Sequence, residues 1–559
     1  MRRRPSPALA GVEGLMTLAG FAQKVRQVIG RPSPTGRRPP EGPDEGTSVG
    51  SKRPHPPLRD TLSRWERAPS TTSSDSCCKA RLAPFSRRFF INGASIFGGE
   101  AVSRLATAAM ALVVARSFGS EALGNYGYAL ALTSVLLIVP DFGLHLFAVR
   151  ELSATPRRLS EIFWGVHWLK FGLAVSVLIF TVGFGAWGIT DRERRLLFYI
   201  LVARVLLQTF SQAAMAIFKA VERMQYVAFQ QSINSLVIVV WVGVSLALRA
   251  RLPVLVAGLV AGQLAETCLG WNILRKMLPA PRFLPPDRTV LVRIVTGCLP
   301  IGITAVLLAL SLRIDIFVLS HYVTTRALGQ FNAAVWFVIA TFLVASLLMS
   351  VLFPKLSRLL TDSSDRAGDY VLSLVKNALL ITGFGALLVW LSAPGLISLF
   401  FGPDFALAAD TLRILAPALP LVFLNTVFFY VFAAARRRFV CLGTLTLGVA
   451  GGTLLSFYMT SRYGAAGCAA AAVAREFTIS SIYVLFLTQS RHARSAGLAL
   501  MKVFVGATGF LATAVLFAAP LHLASLWLAA WTVLVLAGTI GVLGLPNIGE
   551  WRLLTDDRL

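Results

Sequence analysis

Charge is what this sequence has least of. Only 14% of its 559 residues are Asp, Glu, Lys or Arg, and just 27 are acidic, where a soluble chain carries about 25% charged residues. So little charge cannot solvate the surface of a globule this long, which excludes an ordinary cytosolic enzyme. Cysteine is sparse too: the six are scattered, with no CxxC and no Cys/His cluster, so neither a disulfide framework nor zinc is expected. Cys268, Cys298, Cys441 and Cys468 sit in or beside apolar runs, as small packing residues do. Walker A and HExxH motifs are missing. The stretch 183–188 fits G-x-G-x-x-G but ends an apolar run with no strand before it, so it is not read as a nucleotide loop. No cleavable signal peptide is expected, because the first strongly apolar segment begins only near Phe89.

What is present is apolar residues, 55% of the chain, with a mean hydropathy of +0.68. The net charge of +26, taken alone, would suggest nucleic acid. The basic residues, however, sit in a polar N-terminal tail and in short gaps between long apolar runs, so no nucleic-acid partner is expected. Residues 1–88 are rich in Pro, Ser, Arg and Gly and read as a disordered basic cytoplasmic tail. Within it, GVEGLMTLAGFAQKVRQVIG can form an amphipathic helix lying on anionic lipid. From Phe89 onward, segments of about 20 apolar residues follow one another, the length that crosses a ~30 Å hydrocarbon core. About fourteen such helices are expected, centred from Thr107 to Val533. The chain reads as an all-α polytopic membrane protein.

The gaps test the topology. With a cytoplasmic N-terminus, inside gaps such as Arg150–Arg158, Arg275–Arg293 and Arg436–Arg438 collect roughly 22 basic residues against roughly 9 outside. Both termini are therefore expected inside. An internal repeat is also visible: Ala122-Leu123-Gly124-Asn125-Tyr126 after the first helix matches Ala327-Leu328-Gly329-Gln330-Phe331 after the seventh. At the same offset Arg150 and Lys355 end the following helices. A duplicated unit of six helices is parallel in the membrane, its copies related by an axis along the normal. The expected organisation is a first six-helix lobe at 89–273, a cytoplasmic linker at 274–290, a second six-helix lobe at 291–489 and two accessory helices with a short tail at 490–559.

These residues also carry a family resemblance. ARSFGSEALGNYGYALALTSVLLIVPDFGLHLFAVREL (Ala115–Leu152) resembles the signature of the Wzx-type polysaccharide biosynthesis and oligosaccharide flippase family, in the MOP exporter superfamily. LPIGITAVLLALSLRIDIFVLS, ALGQFNAAV, VLFPKLS, FFGPDFALAADTLRILAPALP and RYGAAGCAAAAVAREF extend the likeness to about Gln489. Phe118, where the family usually has Leu, is an apolar departure. The resemblance implies a MOP/MATE-like fold, two six-helix lobes around a central cavity. It also implies a bacterial inner-membrane transporter, not an enzyme, that moves undecaprenyl-pyrophosphate-linked oligosaccharide outward by alternating access. Membrane lipids, a polysaccharide polymerase and glycosyltransferases are the partners it implies. The alternatives are a multidrug/cation antiporter of the same superfamily, which would need acidic deep charges, and a lipid II flippase. A membrane-embedded polymerase or ligase would need a large outside loop that this chain does not have.

Charged side chains inside a bilayer cost about 2.5–3.5 kcal/mol each on insertion scales, so each asks for a reason. Glu100 and Arg104, Lys170, Arg204 and Glu266 fall well inside helices of the first half; Asp141 lies toward the cytoplasm, and Arg313 and Asp315 near the outer end of the seventh helix. Arg104, Arg204, Arg313 and Lys170 are the candidate substrate-binding cations, since guanidinium groups grip pyrophosphate oxygens in bidentate fashion. Glu100, Glu266, Asp315 and Asp141 are candidates for coupling Na+ or H+, or for structural pairing. Glu100 and Arg104, at i,i+4, read equally as a self-satisfied pair, Lys170 as a snorkelling cation and Asp141 as a cap on the helix break at Gly143. Arg475 and Glu476, being adjacent, point in different directions and are weaker candidates; His145 and His167 are further candidates as proton relays. No cofactor or metal is expected.

Overall fold

The computed structural model describes residues 87–154, 159–221, 223–277, 287–361 and 366–488 and, in isolation, Val533. All regular structure among them is helical. Among the described residues, nine helices are long and apolar enough to cross a bilayer, and a pair bent by 52°, Pro403–Leu415 with Ala418–Ala434, supplies a further span. Two of the nine cannot be single spans, because Gly98–Leu152 has 55 residues and Phe439–Thr488 has 50. At about 1.5 Å per residue each is more than twice the ~30 Å hydrocarbon core. Both are interrupted at a glycine in the left-handed region, Gly119 (φ 80°) and Gly464 (φ 58°). The described residues thus make twelve passes, and each of the first twelve expected centres falls inside one of them.

The passes are α1 (87–118), α2 (120–154), α3 (Leu159–Trp187), α4 (Arg192–Ala220), α5 (Met224–Ala247), α6 (Leu252–Met277), α7 (Arg288–Leu319), α8 (Thr325–Thr361), α9 (Arg366–Phe400), α10 (403–434), α11 (438–463) and α12 (465–488). The expected tail at 1–88, its amphipathic helix and the two accessory helices at 490–559 lie almost wholly outside the described residues, as does the middle of the expected linker, 278–286.

Polar residues mark where the passes begin. Asp191 caps α4 by accepting from the backbone N–H groups of Glu193 (2.8 Å) and Arg194 (3.4 Å). Asp287 caps α7 in the same way through Thr289, whose N–H and hydroxyl hold the Asp287 carboxyl below the usual carboxylate range. Within the first half α4, α5 and α6 pack on one another and on the α1–α2 pair; within the second, α7 packs on the α11–α12 pair and α10 on α8, α9 and that same pair. Lipid is as apolar as these faces, so association rests on close packing and polar contacts.

The halves meet where the sequence repeats. Gly124 of α2 and Gly329 of α8 cross so closely that a Cβ on Gly329 would strike the carbonyl of Ser120, and one on Gly124 that of Thr325. Beside the crossing, Arg194 donates to Asn125 Oδ1 (3.1 Å) and Thr325 Oγ1 (2.8 Å) while its guanidinium lies 4.9 Å over Tyr128. Arg116 donates to the carbonyls of Phe400 and Leu399, which end α9. The two copies also share a structural role, since Asn125 holds the start of α4, and Gln330 holds the start of α10 through Asp404 O (2.6 Å) and Ala408 N (3.1 Å). Gly329→Leu should leave a full-length, inserted protein whose crossing cannot close. A cysteine at Thr325 should then react with a membrane-impermeant maleimide far faster than in the parent; equal rates would show that the crossing tolerates the side chain.

Candidate functional site

Among the described residues, the candidate charges fall into four groups, and their partners separate them. On α1, Arg104 donates through Nε (2.9 Å) and Nη2 (2.7 Å) to Glu100 Oε1, and Gln231 of α5 reaches Glu100 Oε2 at 3.3 Å. The i,i+4 spacing thus closes into a pair, with the Arg104 side chain 49% exposed.

Toward the expected cytoplasmic end, Lys170 of α3 is buried, at 1% exposure, and its Nζ lies 2.8 Å from Asp141 Oδ1. The helix break after Asp141 is real, with Phe142 (φ 32°) and Gly143 (φ 78°) in the left-handed region. The Asp141 carboxylate meets Lys170, so the ammonium is neither a snorkelling head nor free of a protein counter-ion. Beside it, His145 contacts Gln212 O and Lys219 Nζ.

The third group spans α7, α10, α11 and α12. Arg475 Nη1 donates to both oxygens of Asp315 (2.7 and 2.9 Å), and its Nε to Glu476 Oε1 (3.2 Å). Ser456 adds a hydrogen bond to Asp315 (3.1 Å), Asn425 one to Glu476 Oε2 (3.0 Å), and Ser480 one to Asn425 Oδ1 (2.6 Å). The expectation that the adjacent residues 475 and 476 diverge does not hold: the long guanidinium bends back, and both side chains join one buried network. The network borders a cleft of ≈ 590 Å³ lined by Ser311, Phe342, Asn425, Tyr430, Glu476 and Tyr483, among others.

The fourth group is the candidate site. Glu266 of α6 is buried and held by neutral donors, Ser211 Oγ (2.5 Å) and Asn234 Nδ2 (2.7 Å). Arg204 of α4 lies within electrostatic reach of Glu266 but makes no ion pair with it, and its Nε is buried without a hydrogen-bond partner. Arg313 of α7 forms no hydrogen bond or ion pair with any described residue and is half-buried, as Arg204 is. Between them in charge terms stands Tyr126 of α2, whose hydroxyl is buried, unpartnered and within electrostatic reach of both arginines. Buried polar groups are normally hydrogen-bonded; here donors gather and no protein acceptor answers them.

Of the four expected substrate cations, then, Arg104 and Lys170 are engaged by carboxylates, while Arg204 and Arg313 are not. Tyr126 escaped the sequence reading because it lies in an apolar, aromatic-rich stretch. The one available signal is that the second copy of the repeat has Phe331 where the first has a hydroxyl. Among the described residues, no group of His, Cys, Asp and Glu side chains has the arrangement of a metal site.

Comparisons with known proteins bear on the fold. Residues 90–360 match the family described as polysaccharide biosynthesis protein. A comparison with curated proteins returns no match. Among solved structures, the chain is similar to the lipid II flippase MurJ in an inward closed conformation (TM-score 0.59, 14% identity), over 79% of this chain and 97% of that one. It is equally similar in fold to an inward-facing multidrug resistance MATE family transporter of the MOP superfamily (TM-score 0.59, 14% identity; 72% of this chain, 95% of that one). A MOP superfamily transporter from Pyrococcus furiosus with a binding pocket of reversed polarity follows at TM-score 0.52 and 15% identity, over 74% of this chain and 95% of that one. At these identities the likeness establishes the fold, that of MOP/MATE-like multi-pass membrane proteins.

Proposed function

We propose that this chain, whose residues 90–360 match the family described as polysaccharide biosynthesis protein, carries an undecaprenyl-pyrophosphate-linked oligosaccharide from the cytoplasmic to the outer leaflet of the bacterial inner membrane, with both termini cytoplasmic. The observation that carries the reading is the pair of arginines without a protein counter-ion, Arg204 and Arg313. A permanently charged group at that depth is costly unless a ligand or water answers it. A pyrophosphate has the charge and the oxygens to do so, in bidentate contacts that a lysine could not copy. Arg204 comes from the first half and Arg313 from the second, so alternating access would separate them and release the anion.

The acids support the same choice over an organic-cation antiporter. Glu100, Asp141 and Asp315 are each paired with a cation. Glu266 alone among the four candidates is held only by neutral donors, and it is the carboxylate to which a coupling Na+ or H+ would go. A negative-inside potential would itself favour outward movement of the anion, by about 2.3 kcal/mol per charge per 100 mV. Lipid II carries the same diphosphate linkage, so choice of glycan belongs to the test. A polysaccharide polymerase and glycosyltransferases would act on either side of this step.

The test of the site is Arg313→Ala in a strain that depends on this chain for polysaccharide export. Lipid-linked oligosaccharide should accumulate on the cytoplasmic leaflet at normal protein level, with Arg313→Lys retaining part of the export. Unimpaired export in Arg313→Ala would remove Arg313 from the site. Arg104 separates by a different experiment. Arg104→Ala alone leaves Glu100 hydrogen-bonded only to Gln231 and should reduce protein level, whereas Glu100→Ala with Arg104→Ala should restore level and export together. A double mutant that is inserted but inactive would instead return Arg104 to the substrate-binding set.

A further inference from the structure

Tyr126 lies on α2 between a contact to α4 and a contact to α7. The residue before it, Asn125, accepts from Arg194 at the start of α4 (3.1 Å). Two residues further on, the Tyr128 ring meets Phe317 of α7 edge-on, with centroids 6.3 Å apart. Tyr126 itself is fully buried, and its hydroxyl has no hydrogen-bond partner among the described residues. A buried hydroxyl left unanswered is unfavourable, and native proteins seldom keep one without a reason. The charged groups within its electrostatic reach are Arg204 of α4 and Arg313 of α7, and a guanidinium can only donate.

The fold does not ask for this hydroxyl. At the matching place in the second copy of the repeat stands Phe331, buried as completely as Tyr126. The preceding residues also correspond, since Asn125 holds the start of α4 and Gln330 the start of α10. One position of the scaffold is thus filled twice, once by a bare ring and once by a ring that carries a donor. The copy with the donor is the one beside two arginines that lack a protein counter-ion.

We propose that Tyr126 is a substrate-binding residue that donates its hydroxyl hydrogen to a diphosphate held by Arg204 and Arg313, and that the three together select a diphosphate over a monophosphate on the lipid carrier. The inference rests on the reading of the chain as a carrier of diphosphate-linked lipid. By helix rise, Tyr126 and Arg313 each stand about 9 Å from the expected outer ends of α2 and α7, and Arg204 about 18 Å from that of α4. The two guanidinium forks therefore approach an anion from different depths as well as from different halves of the chain. A single phosphoryl group offers its oxygens at one point, whereas a diphosphate offers two linked groups, one for each fork. The phenol adds a further donor without adding a third buried charge, which would be far more costly than a hydroxyl.

The measurement is binding of two defined lipids, undecaprenyl diphosphate and undecaprenyl phosphate, to the purified full-length protein in detergent. The unsubstituted chain should bind the diphosphate at least about tenfold more tightly, the scale of one hydrogen bond to a charged group. Tyr126→Phe, which installs the side chain of the second copy, should lose most of that preference by weakening the diphosphate alone. Its melting temperature without lipid should equal or exceed the parent's, because an unanswered hydroxyl leaves the core. Unchanged diphosphate affinity in Tyr126→Phe, an equal loss for both lipids, or a lowered melting temperature would overturn the proposal, as would a parent that binds the two lipids alike. Flipping in liposomes, at lipid levels below saturation, separates this result from the flippase reading. A chain with the Tyr126-dependent preference that moves no lipid-linked oligosaccharide contradicts the flippase reading alone. Equal flipping by the parent and Tyr126→Phe contradicts the assignment of Tyr126 alone.

Discussion

Arg204→Ala is expected to stop export almost completely while leaving a folded, inserted protein. The guanidinium makes no ion pair: Glu266, the acid within its electrostatic reach, is held by hydrogen bonds from Ser211 and Asn234. Removing a cation that pairs with nothing in the protein should cost little stability, and it removes one of the two charges available to a diphosphate. Arg204→Lys should keep part of the activity, because the charge survives and the bidentate fork does not. Lipid-linked oligosaccharide on the cytoplasmic leaflet, with protein level and thermal stability in detergent alongside, is the measurement. Full export by Arg204→Ala would remove Arg204 from the substrate site.

The opposite pattern is expected in the second half. Arg475→Met should collapse protein level, because Asp315 and Glu476 would remain buried with only neutral donors. Breaking a buried ion network on one side costs about 3–5 kcal/mol. Arg475→Met combined with Asp315→Asn and Glu476→Gln removes all the charge together and should restore level and melting temperature. A stable Arg475→Met single mutant would show that the network contributes little to the fold. Arg204 and Arg475 are thus both arginines inside the membrane with opposite expected phenotypes, and the difference lies entirely in their partners.

That difference was not legible in the sequence. Apolar runs of membrane-spanning length located all twelve described passes, because the bilayer imposes length and composition on a helix regardless of its neighbours. The A-L-G repeat was legible as a repeat. That its two glycines meet each other needed the three-dimensional crossing of α2 and α8. The i,i+4 pair of Glu100 and Arg104 could be read because both residues share one helix. Asp141 with Lys170, or Asp315 with Arg475, could not, since those partners lie 29 and 160 residues apart. Arg204 and Arg313 looked like Lys170 in the sequence, and only the structure distinguishes a cation with a counter-ion from one without. Tyr126 left a single trace, its hydroxyl where the second copy has Phe331.

The central claim is movement of a diphosphate-linked glycolipid, and the most direct measurement is flipping by the purified full-length chain in liposomes. Undecaprenyl-diphosphate-linked oligosaccharide would be placed in both leaflets and the accessible fraction followed with an impermeant glycan-modifying enzyme. With an imposed potential, accessibility should rise from the outer-leaflet share toward completion, and the Arg204→Ala with Arg313→Ala protein should hold it at that share. Movement that is unchanged in the double mutant, or no movement by the unsubstituted chain while an organic cation is exchanged, would contradict the account.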